Sequence, residues 1–171
     1  VPSFMGQQIK VLRVDQLVAL QDAQAAAFSS GQLLALTTAQ ISAISTSQIA
    51  ALTTAQFASV APAQIASLTV SQVASLENVD LLALATAQVV AFTSSQVATL
   101  SAYQFSALPS TYIVTLTPSQ VGSIETLVFE ALSTGQLQAL NSSQLKALSG
   151  SQVQAFSTLQ LRALKPEQVS T

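Results

Sequence analysis

The chain contains no cysteine, no histidine and no tryptophan in 171 residues. These absences together exclude disulfides, thiol nucleophiles, imidazole acid–base catalysis and the Cys/His metal sites. Glycine occurs only five times, too seldom for a fold of short strands and tight turns. Charge is scarce as well: five basic and seven acidic residues give a net charge of -2. The charged residues avoid 23–76 and 81–124 and form no basic stripe, which argues against nucleic acid, where phosphate neutralisation dominates affinity. Half of the residues are apolar, yet Ser, Thr or Gln interrupts them every few positions. No run approaches the roughly 18 apolar residues of a membrane helix, so a soluble chain that is not transmembrane is expected. No cationic segment followed by an apolar run marks a signal peptide.

What is present is a period of eight. From Phe4 the chain divides into 21 octads without insertion or deletion, with the consensus L-[S/T]-x-x-Q-[I/V/L]-x-A. The first position is large and apolar in all 21, from Phe4 and Leu12 to Leu164. The fifth is Gln in 18, with Asp80, Tyr112 and Val128 as the exceptions. The sixth, from Ile9 to Val169, is apolar throughout, and the eighth is almost always Ala, Ser or Thr.

One continuous helix is incompatible with this period. Eight residues advance about 800°, so the Leu stripe would drift about 80° per octad around the axis. A strand fails because positions one, six and eight mix odd and even. A short helix in every octad explains each column. Ser or Thr followed three residues later by Gln is a capping box, as in Thr37 with Gln40, Thr53 with Gln56 and Thr93 with Gln96. Apolar residues flank it as a hydrophobic staple: Leu36 with Ile41, Leu52 with Phe57, Phe92 with Val97. Pro62, Pro118 and Pro166 fall at the first helical position, which favours proline, and Pro109 falls on the cap.

The expected fold is therefore all-α, a solenoid or superhelix of capped helices of about six residues, one per octad. Such helices are unstable alone and must stack, burying the first, sixth and small eighth residues. Phe57, Phe105 and Phe129 share the sixth position at separations of 48 and 24, and Phe4 and Phe28 share the first at 24. This phase suggests three octads per turn, although Phe92 and Phe156 fall outside it. Residues 1–3 are read as an N-terminal boundary and 4–171 as a single solenoid. The array starts and stops in mid-pattern without polar capping repeats, which points to a segment of a longer protein.

With His and Cys absent, carboxylates are the remaining acid–base candidates. Glu77 and Glu125 stand in register at caps, Asp80 at N3 and Asp15 at N2, where acids complement the helix N-terminus. Capping rather than catalysis is expected, and the chain is not expected to be an enzyme. Asn141 begins an N-S-S sequon and is also an acceptable cap. The Gln column has two readings: a capping device, or amides held at fixed spacing toward a glycan or a second chain. The seventh column is small or apolar through Val18, Leu34, Leu82, Val90 and Val114, then polar from Glu130 onward. Either it is half-buried between coils, or it forms a lateral contact face for self-association; a lateral face would be disabled by Val90→Lys and Leu82→Lys. Tyr103 and Tyr112, near the irregular octads, are candidate contact residues because Tyr offers rigid amphipathic area. The candidate interaction residues are thus Leu82, Val90, Tyr103, Tyr112 and Val114, with no catalytic, cofactor or metal residue.

Two resemblances follow from these motifs. Leu116–Val121 and Leu164–Val169 read L-T-P-S-Q-V and L-K-P-E-Q-V, similar to the opening of the TAL effector DNA-binding repeat. The likeness covers six residues. The longer repeat, base-reading loop and basic interior of that family are absent, so the shared part is helix-start chemistry. Runs such as Leu36–Gln56 are similar, over almost the whole chain, to octapeptide arrays of large secreted or surface-exposed proteobacterial proteins described as adhesin-like or haem-utilisation-like. That resemblance implies an extracellular or cell-surface spacer, stalk or scaffold. It also implies an alternative, a binding or adhesion module that meets glycans, other surface proteins or its own copies. Haem ligation is not expected: only Met5, Tyr103 and Tyr112 offer conceivable ligands.

Overall fold

A computed structural model of the chain describes residues 6–169. Met5 and the boundary residues 1–3 lie outside the described residues. The chain forms two compact units, Val1–Ala91 and Phe92–Thr171. In the first unit the helices are α1 (Gly6–Lys10), α2 (Val14–Val18), α3 (Asp22–Ala26), α4 (Ser30–Ala35), α5 (Thr38–Ala43), α6 (Thr46–Ala50), α7 (Thr54–Ser59), α8 (Pro62–Ser67), α9 (Val70–Ala74), α10 (Asn78–Ala83) and α11 (Thr86–Val90). The second unit holds α12 (Ser94–Ala98), α13 (Ala102–Ala107), α14 (Ser110–Ile113), α15 (Pro118–Ser123), α16 (Thr126–Ala131), α17 (Thr134–Ala139), α18 (Ser142–Lys146), α19 (Gly150–Gln154), α20 (Thr158–Ala163) and α21 (Pro166–Val169). The fold is all-α, with one helix of four to six residues in every octad and no strand among the described residues.

Within each unit every helix packs on the third one along. In the first, α1, α4, α7 and α10 form one column, α2, α5, α8 and α11 a second, and α3, α6 and α9 a third. In the second the columns are α12–α15–α18–α21, α13–α16–α19 and α14–α17–α20. Three octads, 24 residues, therefore make one turn of a solenoid in each unit. The sixth-position side chains fill the interior: Phe57, Phe105 and Phe129 are fully buried, as are Ile9, Leu33, Ile65 and Leu137. Phe156, outside the 24-residue phase, packs from the first-position column and meets Phe129 edge-on at 5.6 Å and 71°.

The corners explain why so little glycine is needed. The first and second octad residues are both extended, as at Leu36 (φ -64°, ψ 140°) and Thr37 (φ -72°, ψ 160°). No described residue has a positive φ, so any L-residue can turn the corner, and proline, fixed near -65°, suits its φ. Pro62, Pro118 and Pro166 open their helices, and Pro109 is the N-cap of α14.

The eighth position differs from expectation: from Ala35 onward it is mostly half-buried rather than buried. Ala is its commonest residue, and where Ser or Thr replaces it the hydroxyl has a local role. Ser59, Ser67, Ser75 and Ser123 donate to the carbonyl three residues earlier at 2.6–2.8 Å, and Thr99 does the same at 2.8 Å. A helix this short leaves most of its last carbonyls without an internal donor, and the hydroxyl supplies one.

Two glycines carry opposite expectations. A Cβ on Gly122 in α15 would stand 2.9 Å from the Ala147 carbonyl oxygen of the next coil, whereas a Cβ on Gly31 in α4 would meet nothing within 4 Å. Gly122→Ala is expected to lower stability by about 1–3 kcal/mol through overpacking. Gly31→Ala is expected to raise it by about 0.5–1 kcal/mol, because the substitution restricts only the unfolded chain. Thermal melts of the two variants against the parent check both signs.

Candidate functional site

The repeated polar group is the glutamine, and its geometry decides what it can do. Each helix has orphan N–H groups at its start and orphan carbonyls at its end. Gln72 in α9 illustrates the arrangement. Its Oε1 accepts from the Thr69 N–H at 2.7 Å, while the Thr69 hydroxyl accepts from the Gln72 N–H at 3.2 Å. This is the expected capping box. Its Nε2, however, donates to the carbonyls of Ile41 at 3.0 Å and Ile44 at 2.6 Å, in the coil below. Ile44 is the corner between α5 and α6, so one side chain ties a corner to the corner beneath it.

The same pattern recurs along both units. The Nε2 reaches the first-position carbonyl 28 residues earlier from Gln40 to Leu12, Gln64 to Leu36 and Gln88 to Val60, and from Gln136 to Leu108, Gln152 to Ile124 and Gln168 to Leu140, at 2.6–2.8 Å. A second bond to the sixth-position carbonyl 31 residues earlier accompanies most of them, as from Gln64 to Leu33 at 2.9 Å. From Gln32 to Gln168 every glutamine of the column is only 0–7% exposed. The amides are thus enclosed between coils rather than offered to a glycan or a second chain. The Gln arm of the box persists where the cap is Ala61 or Ala85, which have no hydroxyl.

The sequence expected capping by the acidic residues, and the structure corrects part of this. Glu77 and Glu125 occupy N-cap positions, but neither side chain accepts a capping hydrogen bond. Asn141 does cap, accepting from the Gln144 N–H at 3.0 Å. Asp15 at N2 of α2 pairs with Arg13 at 2.7 Å, which holds its carboxyl below the usual range. Both side chains are exposed, so the pair adds little.

Of the three departures in the Gln column, Asp80 is the one with chemistry. It is 4% exposed and accepts from the Thr54 hydroxyl at 3.3 Å. Burial is the main cause that pushes its carboxyl pKa up, with the nearby Glu77 adding to it and the Thr54 bond opposing it. The folded state therefore holds the proton more tightly than the unfolded chain. Stability from this group is fully present below the ordinary carboxyl pKa of about 3.9 and is lost as pH rises through the raised value. Asp80→Gln restores an amide donor toward the corner below. It is expected to stabilise the chain by about 1–2 kcal/mol at pH 7, with the gain shrinking as Asp80 protonates. Melts of parent and variant at neutral and acid pH check this; an equal gain at both would contradict it.

The residues considered for contacts are spread over several columns. Leu82 lies on α10 and Val90 on α11, neighbours in sequence but members of different columns. Leu34 and Leu82 belong to one column, on α4 and α10, with the exposed Ala58 of α7 between them. Val114 is the C-cap of α14 in the second unit, and all three of Leu82, Val90 and Val114 are exposed. Tyr103 is 77% exposed at the second position of α13, and Tyr112 is half-buried on α14, in another column. Leu127 on α16, which sequence reasoning passed over, is exposed at the same octad position one coil from Tyr103. Val128 is buried in the Gln column and has no amide to offer. A shallow open cleft of about 300 Å³ is lined by Gln138, Asn141, Ser142, Lys165 and Glu167. Its walls are bridged by Gln138 Nε2 donating to the Ala163 carbonyl at 2.7 Å and by the Ser142 hydroxyl donating to the Glu167 carbonyl at 3.3 Å.

Among the described residues no three acidic side chains gather to hold a metal ion, and no helix is long and apolar enough to cross a membrane. Three segments of the chain, 26–62, 73–110 and 121–158, match the family described as the ALTTAQ repeat. The hexapeptide itself stands at 35–40 and 51–56. The second and third matched segments begin at 73 and 121, six octads apart. No curated protein matches the chain.

Proposed function

The chain belongs to the ALTTAQ repeat family, and on that premise we propose that it is a structural repeat segment, a spacer or scaffold within a larger secreted or surface-exposed bacterial protein. The observation that carries this reading is the fate of the glutamine amide. The one polar side chain repeated in almost every octad has both ends committed to backbone groups of its own array. What recurs is thus the means of adding another coil, which suits a segment selected for length and rigidity. The lack of His and Cys accords with a structural rather than a catalytic part. The resemblance to octapeptide arrays of surface proteins supports the location.

The experiment is to duplicate one coil, inserting a second copy of residues 29–52 after Leu52. A spacer should accept it, keep its helical circular dichroism, and lengthen by about 8–10 Å per added coil in small-angle scattering, the usual distance between packed helices. If instead the parent chain binds a glycan array, and Tyr103→Ser or Tyr112→Gln abolishes that binding, the chain is a recognition module. Protease accessibility on intact cells tests the surface location.

A further inference from the structure

The joint between α7 and α10, inside the first unit, lacks the tie that its neighbours have. The corner carbonyls before and after it, those of Ile44 and Val60, receive an amide N–H from Gln72 and Gln88 at 2.6 Å. By the same spacing of 28 residues, the donor for the Leu52 carbonyl should stand at position 80, where the residue is Asp. The Leu52 carbonyl receives no hydrogen bond among the described residues, and Leu52 is buried. The Ile49 carbonyl, which a glutamine would also reach, keeps the Leu52 N–H at 3.1 Å. Asp80 is itself buried at this corner: Thr54, two residues beyond Leu52, donates its hydroxyl to the carboxyl at 3.3 Å. An enclosed carboxyl and an enclosed carbonyl thus share one corner with no amide to join them.

We propose that Asp80 is a proton-operated latch between these two coils: protonated, its carboxyl donates to the Leu52 carbonyl and closes the joint; ionised, it leaves that carbonyl stranded and the joint opens locally. The proton comes from solvent and returns to it. Burial first, and then the negative charge of Glu77, favour the protonated form. The latch is therefore closed in acid and released as pH rises through the raised value. No further acidic or basic group bears on it. Helix α7, on which α10 packs, and the flanking α9 and α11 carry none, and residues 23–76 and 81–124 are uncharged throughout. Glu77, on the cap of α10 itself, is exposed. The corners at Ile44 and Val60 are closed by glutamine, which does not titrate, so the loosening is confined to one place. Leu52, Thr54 and Asp80 lie well inside the array, and coils added at either end would leave the latch as it is. It operates whether the array serves as a spacer or as a binding module.

Amide hydrogen exchange of the 171-residue chain, read by mass spectrometry as a ratio of parent to variant, is the test. The ratio cancels the intrinsic pH dependence of exchange. At pH 7 the amides of α7 and α10 should exchange about tenfold faster in the parent than in Asp80→Gln, the effect of about one hydrogen bond on local opening. Those of α5 and α8, in the adjoining column, should not differ. At pH 4, close to the ordinary carboxyl value of about 3.9, the ratio at α7 and α10 should approach unity. Asp80→Asn keeps the length of Asp but does not titrate, so its own ratio to Asp80→Gln should be the same at both pH values. A parent-to-variant ratio that does not change with pH overturns the proposal. So does acceleration spread evenly over every coil of the first unit, which is global rather than local opening. Protection restored at pH 7 by millimolar calcium chloride would assign the corner to a cation and overturn it as well.

Discussion

Replacing Gln72 by leucine is expected to lower stability by about 2–6 kcal/mol, more than the loss of a helix cap costs. One substitution strands two backbone groups, the Thr69 N–H and the Ile44 carbonyl, and leaves the Ile41 carbonyl with only the Ile44 N–H at 3.3 Å. Each buried group left without its partner costs about 1–3 kcal/mol. The side chain is 1% exposed, so water cannot readily replace it. Gln72→Glu is the sharper variant. In a capping box Glu serves as well as Gln, because only the acceptor oxygen is used. Here Glu keeps the bond from Thr69 but turns a carboxylate oxygen toward two carbonyl oxygens, so at neutral pH it should be at least as damaging as leucine. Protonation gives the carboxyl an O–H to donate, and part of the loss should return in acid. Gln24→Leu is the control: Gln24 is exposed and only accepts from the Gln21 N–H, and its loss should cost about 1 kcal/mol or less. Urea unfolding followed by circular dichroism separates the cases. A Gln72→Glu variant as stable as the parent at pH 7 would reduce the glutamine to a cap and remove the coil-to-coil tie.

How much of this was legible in the sequence depends on the range of the interaction. The helix in each octad, its cap, its staple and the place of proline are all read within eight residues, and the structure carries them. The turn of three octads was visible only in the spacing of Phe57, Phe105 and Phe129, because only bulky side chains mark one column against another in an otherwise uniform repeat. Phe156 lay outside that spacing since it meets Phe129 from a different octad position. The second role of glutamine was written in the composition of the fifth column and passed over: 18 glutamines and not one glutamate. A cap alone would accept either, so the exclusion of Glu required a donor, and the donor reaches 28 residues back. The eighth column is small without being fully buried, and where Ser59 or Ser123 stands in it the hydroxyl serves a carbonyl of its own helix, a role that size alone does not reveal. Glu77 and Glu125 were read as caps from register alone, and register fixes the backbone position without fixing where the carboxylate goes. The interaction residues could not be grouped from sequence, because neighbouring octads such as those of Leu82 and Val90 belong to different columns.

Removing one whole octad should be tolerated, and removing half of one should not. Deletion of residues 45–52 joins Ile44 to Thr53 and preserves every octad position after it. Each later helix moves to the adjoining column, where it meets the same classes of side chain: a glutamine under a corner carbonyl, a sixth-position apolar group inside. Only particular partners change, so the variant should keep a cooperative melt and lose a few kcal/mol at most, in keeping with nearest-neighbour stacking in a repeat array. Deletion of residues 45–48 takes out Ser45, which caps α6, and Gln48, which ties that corner to the Leu17 and Leu20 carbonyls at 3.3 and 2.6 Å. What is left of the octad is Ile49 to Leu52, too short to carry a helix and turn a corner. The spacing of 28 and 31 residues then fails for every pair that spans the gap, among them Gln56 with the Phe28 carbonyl and Gln72 with that of Ile44. Four missing residues should therefore cost the first unit most of its helical signal and its cooperative transition, while eight should not. Circular dichroism and calorimetry on the two deletions decide it. Equal damage from both would mean that particular side-chain pairs, rather than the octad register, hold the coils together.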